Sequence, residues 1–248
     1  MKRIHLSTIA VLSALLPFAG AAAATETVLY SFKGGTDGTY PPAGLMMDSS
    51  GALYGTTVYG GTANAGTVFK LTRPAAGGRH WTETVLHSFT GGADGAVGGT
   101  LLKDNAGALY GMTQEGGTGN QGTVFKLTPP AAGQTAWTEI VLYRFKGGRD
   151  GRYPLGDLIA KHGVLYGMTN GGGTANTGTV FKLRPPAAGQ TAWTERVLYR
   201  FTGGTDGTRP QAGLLATAGL LANKSGFLFG TTYQGGVSNK GTVFKVVP

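Results

Sequence analysis

The chain repeats one sequence unit four times, and this repetition constrains its fold more than any other feature. A first marker, GTVFK, begins at Gly66, Gly122, Gly178 and Gly241. A second marker, F-x-G-G-x-D-G, begins at Phe32, Phe89, Phe145 and Phe201. The first three GTVFK segments lie about 56 residues apart, a period typical of propeller blades and longer than that of most solenoid repeats.

Each unit holds four short runs that are typical of β-strands. They are rich in Val, Leu, Phe, Tyr and Thr and are bounded by Gly, Pro, Asn and Asp. In the first copy the predicted strands are Gly44–Asp48, Ala52–Thr57, Thr67–Thr72 and Thr82–Phe89. After residue 24 no stretch has a sustained helical period. Four strands per repeat predict an all-β fold, and four repeats predict a four-bladed β-propeller.

The two ends of the repeat array complement each other. In three units GTVFK is followed by a strand led by Trp-Thr-Glu, whereas the fourth unit lacks that strand. The missing element is matched by Thr25–Phe32, so we expect the N-terminal segment to complete the last blade and close the ring, which would hide two exposed strand edges. Two alternatives stay open, a larger ring shared by two chains and an open arc within an oligomer.

The first 24 residues have the pattern of a secretory signal peptide. Lys2 and Arg3 precede the apolar stretch Ile9–Leu16, and an alanine run ending at Ala24 offers a cleavage site. The stretch is shorter than the about 20 residues that a membrane helix needs. We therefore expect a signal peptide at 1–24, a single repeat domain at 25–248, a secreted or periplasmic location, and no membrane anchor after cleavage.

Composition narrows the range of partners. The formal charge is +9, but the basic residues are scattered singly, without the basic stripe that nucleic acid requires. We expect no nucleic acid partner, a monomer or small homo-oligomer, and a polysaccharide or cell-surface component as ligand. The chain has no cysteine, so neither disulfides nor thiolate metal sites can form.

An aspartate recurs in every G-G-x-D-G turn. The four equivalents are Asp37, Asp94, Asp150 and Asp206. Their carboxylates could hold Ca²⁺, or they could stabilise the turn by accepting backbone hydrogen bonds. Presence in every repeat favours the turn role, because a single ligand does not need four copies. We expect no cofactor, with Ca²⁺ as the alternative.

Residues that break the repeat symmetry are better candidates for a ligand site. They lie near the turns on one face of the predicted ring and are Asp157, Glu115, Tyr59, Tyr233 and Arg209. Aromatic rings beside carboxylates are what a saccharide site uses, since ring faces stack on C–H groups and polar groups bind hydroxyls.

No catalytic motif of a nucleophilic, zinc-dependent or phosphate-binding enzyme is present. The leading prediction is a binding or scaffold module. One alternative is a polysaccharide lyase or glycoside hydrolase, in which Asp157 and Glu115 would serve as acid and base. Another is a purely structural envelope or matrix component.

The repeated pattern V-L-Y-S-F-x-G-G-x-D-G, followed by L-Y-G-T-T and G-T-V-F-K-L, resembles the bacterial GloVer tandem repeat family. The resemblance covers Thr25–Pro248. It implies export and a propeller-like fold, and it implies no activity.

Overall fold

The structure is a computed structural model that describes residues 24–76, 78, 80–211 and 227–248. In this part of the chain fifteen strands form four antiparallel sheets, with 3-10 turns at Gly35–Asp37, Thr118–Asn120 and Gly148–Asp150. The predicted all-β class is confirmed. Residues 1–23 of the predicted signal peptide lie outside the described residues. Across the described ranges, no helix is long and apolar enough to cross a membrane.

The first sheet follows the predicted strands of the first repeat closely. Its strands, in both chain and spatial order, are β1 (Met46–Met47), β2 (Leu53–Thr56), β3 (Thr67–Thr72) and β4 (Thr82–Ser88). The third strand has the predicted bounds, and the other three are shorter than predicted at one or both ends. Runs rich in β-branched and aromatic residues, bounded by glycine-containing turns, are therefore sufficient to place these strands.

The second and third sheets repeat this arrangement. The second contains β5 (Ala96–Lys103), β6 (Leu109–Glu115), β7 (Thr123–Thr128) and β8 (Thr138–Arg144). The third contains β9 (Arg152–Pro154), β10 (Ile159–Lys161), β11 (Val164–Gly171), β12 (Thr179–Arg184) and β13 (Thr194–Arg200). Strands β10 to β13 pair in chain order, and β9 pairs with β11 beyond the end of β10.

The fourth sheet has two strands within the described residues, β14 (Leu228–Thr232) and β15 (Thr242–Val246). The segment Thr25–Phe32 forms no strand and does not pair with β15. The four sheets thus remain separate, and closure of the ring by the N-terminal segment stays a prediction.

A β-bulge interrupts the outermost strand of each of the first three sheets. In the first sheet Val68 pairs with His87 and Phe69 with Val85, which leaves Leu86 as the extra residue. The same register shift occurs at Leu142 and Leu198. Each bulged leucine packs into the hydrophobic cluster shared with the following sheet, so the bulge redirects a side chain that regular alternation would place elsewhere.

The hydrophobic core lies between consecutive sheets. Val68 of the first sheet packs in one cluster with Phe125 of the second, and Val124 of the second packs with Phe181 of the third. A further cluster joins Val180 to residues of the fourth sheet. Each sheet therefore presents its valine face to the following sheet and its phenylalanine face to the preceding one.

In every sheet a pair of threonines joins the strand of the L-Y-G or L-F-G marker to the strand of GTVFK. The two hydroxyls lie 2.8–3.0 Å apart in the pairs Thr57–Thr67, Thr113–Thr123, Thr169–Thr179 and Thr232–Thr242. In the second sheet the Thr113 hydroxyl donates to the Glu115 carbonyl at 2.8 Å and accepts from the Thr123 amide at 3.1 Å. These bonds satisfy backbone groups in a fully buried position.

We predict that Thr113→Val destabilises the fold. Valine has nearly the same shape, but it leaves the Thr123 amide and the Glu115 carbonyl without their present partner, at a cost of about 1–3 kcal/mol for each group. The measurement is the free energy of unfolding in urea. Thr138→Val, at an exposed position in β8, is the control and should stay within about 0.5 kcal/mol of wild type. Equal stability of the two variants would contradict the role of the pair.

Candidate functional site

Two sets of glycine-rich turns meet on one face of the repeats. In every repeat the second glycine of the G-G turn before GTVFK donates its amide to the G-G-x-D-G turn, as Gly61 does to Gly35 and Gly117 to Gly92, at 2.9 and 2.8 Å. The third and fourth repeats make the same bond, from Gly173 to Gly148 and from Gly236 to Gly204. This face carries the candidate ligand residues.

The recurring aspartates form turn hydrogen bonds. Asp150 accepts from the Lys146 amide and from the Tyr143 hydroxyl, both at 2.7 Å. Asp37 and Asp206 bind an amide and a tyrosine hydroxyl in the same way. In the second repeat His87 replaces the tyrosine, and its Nε2 lies 3.7 Å from Asp94. Each carboxylate is thus used within its own turn.

Within the described ranges, no three His, Asp or Glu side chains are grouped closely enough to hold a metal ion.

A cavity of about 390 Å³ lies where all four repeats converge. Its lining residues come from the segments that precede or begin the innermost strands, together with Gln114. They are Pro42, Ala43, Val97, Gly98, Gly99, Thr100, Gln114, Pro154, Leu155, Gly156, Asp157 and Gln211. Neighbouring segments are hydrogen-bonded around it, since Thr56 donates to the Gly99 carbonyl at 2.8 Å and Thr100 to the Gly156 carbonyl at 3.2 Å.

Asp157 is the predicted site residue that lines this cavity. It lies in the loop just before β10 and is exposed. Glu115 ends β6 and is also exposed, but the lining residue is its neighbour Gln114. Successive side chains of a strand point to opposite faces. This alternation explains why Gln114 lines the cavity and the next residue, Glu115, does not.

The other predicted residues form two smaller groups on the same face. Tyr59 is half exposed and packs edge-on against Tyr40, with ring centroids 6.2 Å apart. Tyr233 donates its amide to the Arg209 carbonyl at 3.2 Å, and both side chains are exposed. None of these three predicted residues belongs to the described lining of the central cavity.

Four equivalent residues at this face adopt a left-handed backbone conformation. They are Tyr40, Val97, Tyr153 and Arg209, with φ between 52° and 57°. In three repeats the amide of this residue donates to a carbonyl of the preceding repeat, from Val97 to Ala65, from Tyr153 to Gln121 and from Arg209 to Thr177, at 2.9–3.1 Å. A bulky or β-branched residue with positive φ is strained, and these junction bonds hold it in place.

Sequence reasoning did not single out three half-buried glutamates on the outermost strands. Burial, and secondly the carboxylate of the aspartate turn, raises the pKa of Glu83 and Glu139 to about 7 and that of Glu195 to about 8. The neighbouring aspartates are Asp37, Asp94 and Asp150 respectively. The Oε1 atom of each glutamate is buried without a hydrogen-bond partner. These glutamates are visible in the sequence as part of the repeated Trp-Thr-Glu marker. Their burial, however, depends on the folded turn and could not be predicted.

Comparison with known proteins identifies one family. Residues 18–222 match the model of the Gloeobacter/Verrucomicrobia repeat. No curated protein matches the chain. The last LFG and GTVFK segments lie beyond the matched residues.

We predict that Glu139→Gln flattens the pH dependence of stability. Because the folded pKa of Glu139 is about 7 and the unfolded value is near 4.5, the folded state retains the proton longer. Its contribution is therefore full below about pH 4.5 and is lost as the pH rises towards 7. Glutamine stays neutral, so the melting temperature of the variant should equal wild type at pH 4.5 and exceed it at pH 8.

Besides burial, two charged groups act on this carboxyl: Asp94 raises its pKa and Arg144 lowers it. Glu115→Gln, at an exposed position, is the matched control and should leave the wild-type pH profile unchanged. Parallel profiles for wild type and Glu139→Gln would show that Glu139 does not titrate as described.

Proposed function

The chain belongs to the Gloeobacter/Verrucomicrobia repeat family, and from this membership and the shared cavity we propose that it is an exported four-bladed β-propeller that binds a saccharide over its centre. The observation that carries the proposal is the cavity of about 390 Å³ lined by residues of all four repeats. A cavity of that kind is where propellers and other ring-like folds hold small ligands.

Closure of the ring is supported by two apolar sheet faces, one at each end of the described repeats, that complement each other. The phenylalanine face of the first sheet carries Leu53, Phe69 and Leu71, but no sheet of the described chain precedes it. At the other end Val243 of β15 is 82% exposed, whereas Val68 and Val124, its equivalents in the first two sheets, are fully buried. Bringing the two faces together would bury both.

The contacts of the N-terminal segment support that junction. Phe32 packs on Phe69, and the Tyr30 hydroxyl donates to Asp37 at 2.8 Å. The outermost strands of the second and third sheets make the same two contacts. The preceding Val28 and Leu29 are exposed. By analogy with β3 and β4, Val28 would pair with Phe244 and Thr27 with Lys245, which supplies the fourth sheet with its outermost strand.

The lining chemistry favours binding of a saccharide over its hydrolysis. Thr100, Gln114, Asp157 and Gln211 offer hydroxyl, amide and carboxylate groups, while the rest of the lining is backbone, proline and aliphatic. Within the described lining Asp157 is the one carboxylate. Glycoside hydrolysis needs two carboxyl groups flanking the scissile bond, so the set is suited to hydrogen-bonding sugar hydroxyls.

We predict that Asp157→Thr weakens saccharide binding at least about tenfold, the effect of removing one hydrogen bond to a charged group. Threonine is the residue of the second repeat at this position, Thr100, so the fold should be retained. The measurement is the Kd for a panel of neutral oligosaccharides by calorimetry, with unchanged melting temperature as a check on folding.

Glu115→Gln is the control, because Glu115 lies on the same face without lining the cavity. An equal loss in both variants would place the site elsewhere on this face. No binding of any saccharide to the wild type would contradict the proposed function and favour a structural component of the envelope or matrix.

A further inference from the structure

A second cleft, of about 390 Å³, lies on the third repeat between the two glycine-rich turns. The side chains that line it are those of Gln121, Lys146, Arg152, Thr174 and Asn176, and glycines form the rest of the wall. Its described lining contains two cationic side chains and no carboxylate. The cleft therefore has the charge of an anion site.

Arg152 has room in this cleft because the large and the small residue of one cross-strand pair are interchanged in the third repeat. In the other three repeats a small residue faces a large one: Thr39 faces Tyr59, Ala96 faces Glu115 and Thr208 faces Gln234. In the third repeat Arg152 faces Gly171. A Cβ atom at position 171 would lie 3.0 Å from Arg152 Nε and 3.1 Å from its Cγ. The glycine thus makes room for the arginine.

The guanidinium is fixed but incompletely bonded. Its Cζ lies 5.1 Å from the centre of the Tyr153 ring, a cation–π contact. Its Nε is buried and has no hydrogen-bond partner, and no hydrogen bond or ion pair among the described residues involves this side chain. The Nη groups also have no hydrogen-bond partner among the described residues and, unlike Nε, are not buried. An oxyanion in the cleft would accept charge-assisted bonds from them.

The neighbouring charges are arranged in keeping with this role. The nearest acidic group in the sequence, Asp150, accepts hydrogen bonds from the Tyr143 hydroxyl and the Lys146 amide. Its carboxylate is therefore occupied. Lys146 belongs to the lining of the cleft and also lowers the pKa of Glu195, which burial and Asp150 raise. Arg149 lies in the same turn, is exposed and does not belong to the described lining. Its side chain contributes charge without reaching the cleft.

We propose that this cleft binds a small oxyanion through Arg152 and Lys146. The shared chemistry is a carboxylate, sulfate or phosphate group, and sources include an acidic sugar and a free inorganic anion. The site is separate from the central cavity, so it stands whether or not neutral saccharides bind there. It also does not depend on closure of the ring, since every lining residue lies between positions 121 and 176.

The test measures binding of sulfate, phosphate and glucuronate to the full chain, by chemical-shift titration at constant ionic strength in chloride. Glucose is the neutral comparison for glucuronate. Arg152→Thr introduces the residue of the first and fourth repeats, Thr39 and Thr208. Arg149→Thr makes the same change of charge and likewise introduces the residue of those repeats, Thr36 and Thr205, so the two variants form a matched pair.

We expect at least one of the anions to bind to the wild type. Arg152→Thr should raise the Kd about tenfold or more, because a charge-assisted bond is lost. Arg149→Thr should raise the Kd by less than about twofold. Lys146→Thr, the residue of the second and fourth repeats, should also weaken binding, and it provides the readout if Arg152→Thr does not fold. Preference for glucuronate would identify an acidic sugar as the source, and preference for sulfate or phosphate a free anion. Absence of binding, or equal loss in Arg152→Thr and Arg149→Thr, would overturn the proposal.

Discussion

The structure depends on one contact that joins each sheet to the next, an edge-on pair of phenylalanine rings. The pairs are Phe32–Phe69, Phe89–Phe125, Phe145–Phe181 and Phe201–Phe244, with ring centroids 5.0–5.3 Å apart. One ring ends the outermost strand, or the N-terminal segment, and the other belongs to GTVFK of the following sheet. Such pairs add about 0.5–1.5 kcal/mol to the burial of both rings.

This contact explains why glycine follows tyrosine or phenylalanine in every L-Y-G or L-F-G marker. A Cβ atom at Gly111 would lie 2.5 Å from Cζ of Phe125, and one at Gly55 would lie 2.6 Å from Cζ of Phe69. The glycine is needed for the space that it leaves to the ring. The glycine of the L-Y-G or L-F-G marker and the phenylalanine of GTVFK thus belong to one packing arrangement, and every repeat has to keep both.

Function has to be sought where the repeats differ, because the residues common to all of them are used by the scaffold. The aspartates of the G-G-x-D-G turns illustrate the first class, since each one bonds within its own turn. Asp157 and Arg152 illustrate the second. Each is charged where the other repeats have an uncharged residue, and each lines a separate cleft. A regular scaffold can tolerate such single replacements because its packing is repeated elsewhere.

The sequence predicted the strands well because their signals are local. Thr67–Thr72 has the observed bounds, and the outermost strand Thr82–Phe89 differs by a residue. Three features could not be predicted, since each depends on contacts between distant segments. The bulge at Leu86 depends on packing against the next sheet, and the room for Arg152 depends on its pairing with Gly171. The raised pKa of Glu83 depends on burial and on Asp37, in a turn 46 residues earlier. Of the predicted ligand residues, Asp157 lines the central cavity, while ligand binding itself stays a prediction.

Closure of the ring requires Thr25–Phe32 to pair with β15, and an engineered disulfide between these two segments is the direct test of that pairing. The chain has no cysteine, so Thr27→Cys with Lys245→Cys introduces a single possible bridge. Lys70 and Thr84 are the equivalent pair in the first sheet. We expect an intramolecular disulfide in a monomer. We expect little cross-linking when Glu26→Cys replaces Thr27→Cys, because a shift by one residue turns the side chain to the other face. Failure to cross-link, or disulfides formed only between two chains, would contradict the closed monomer.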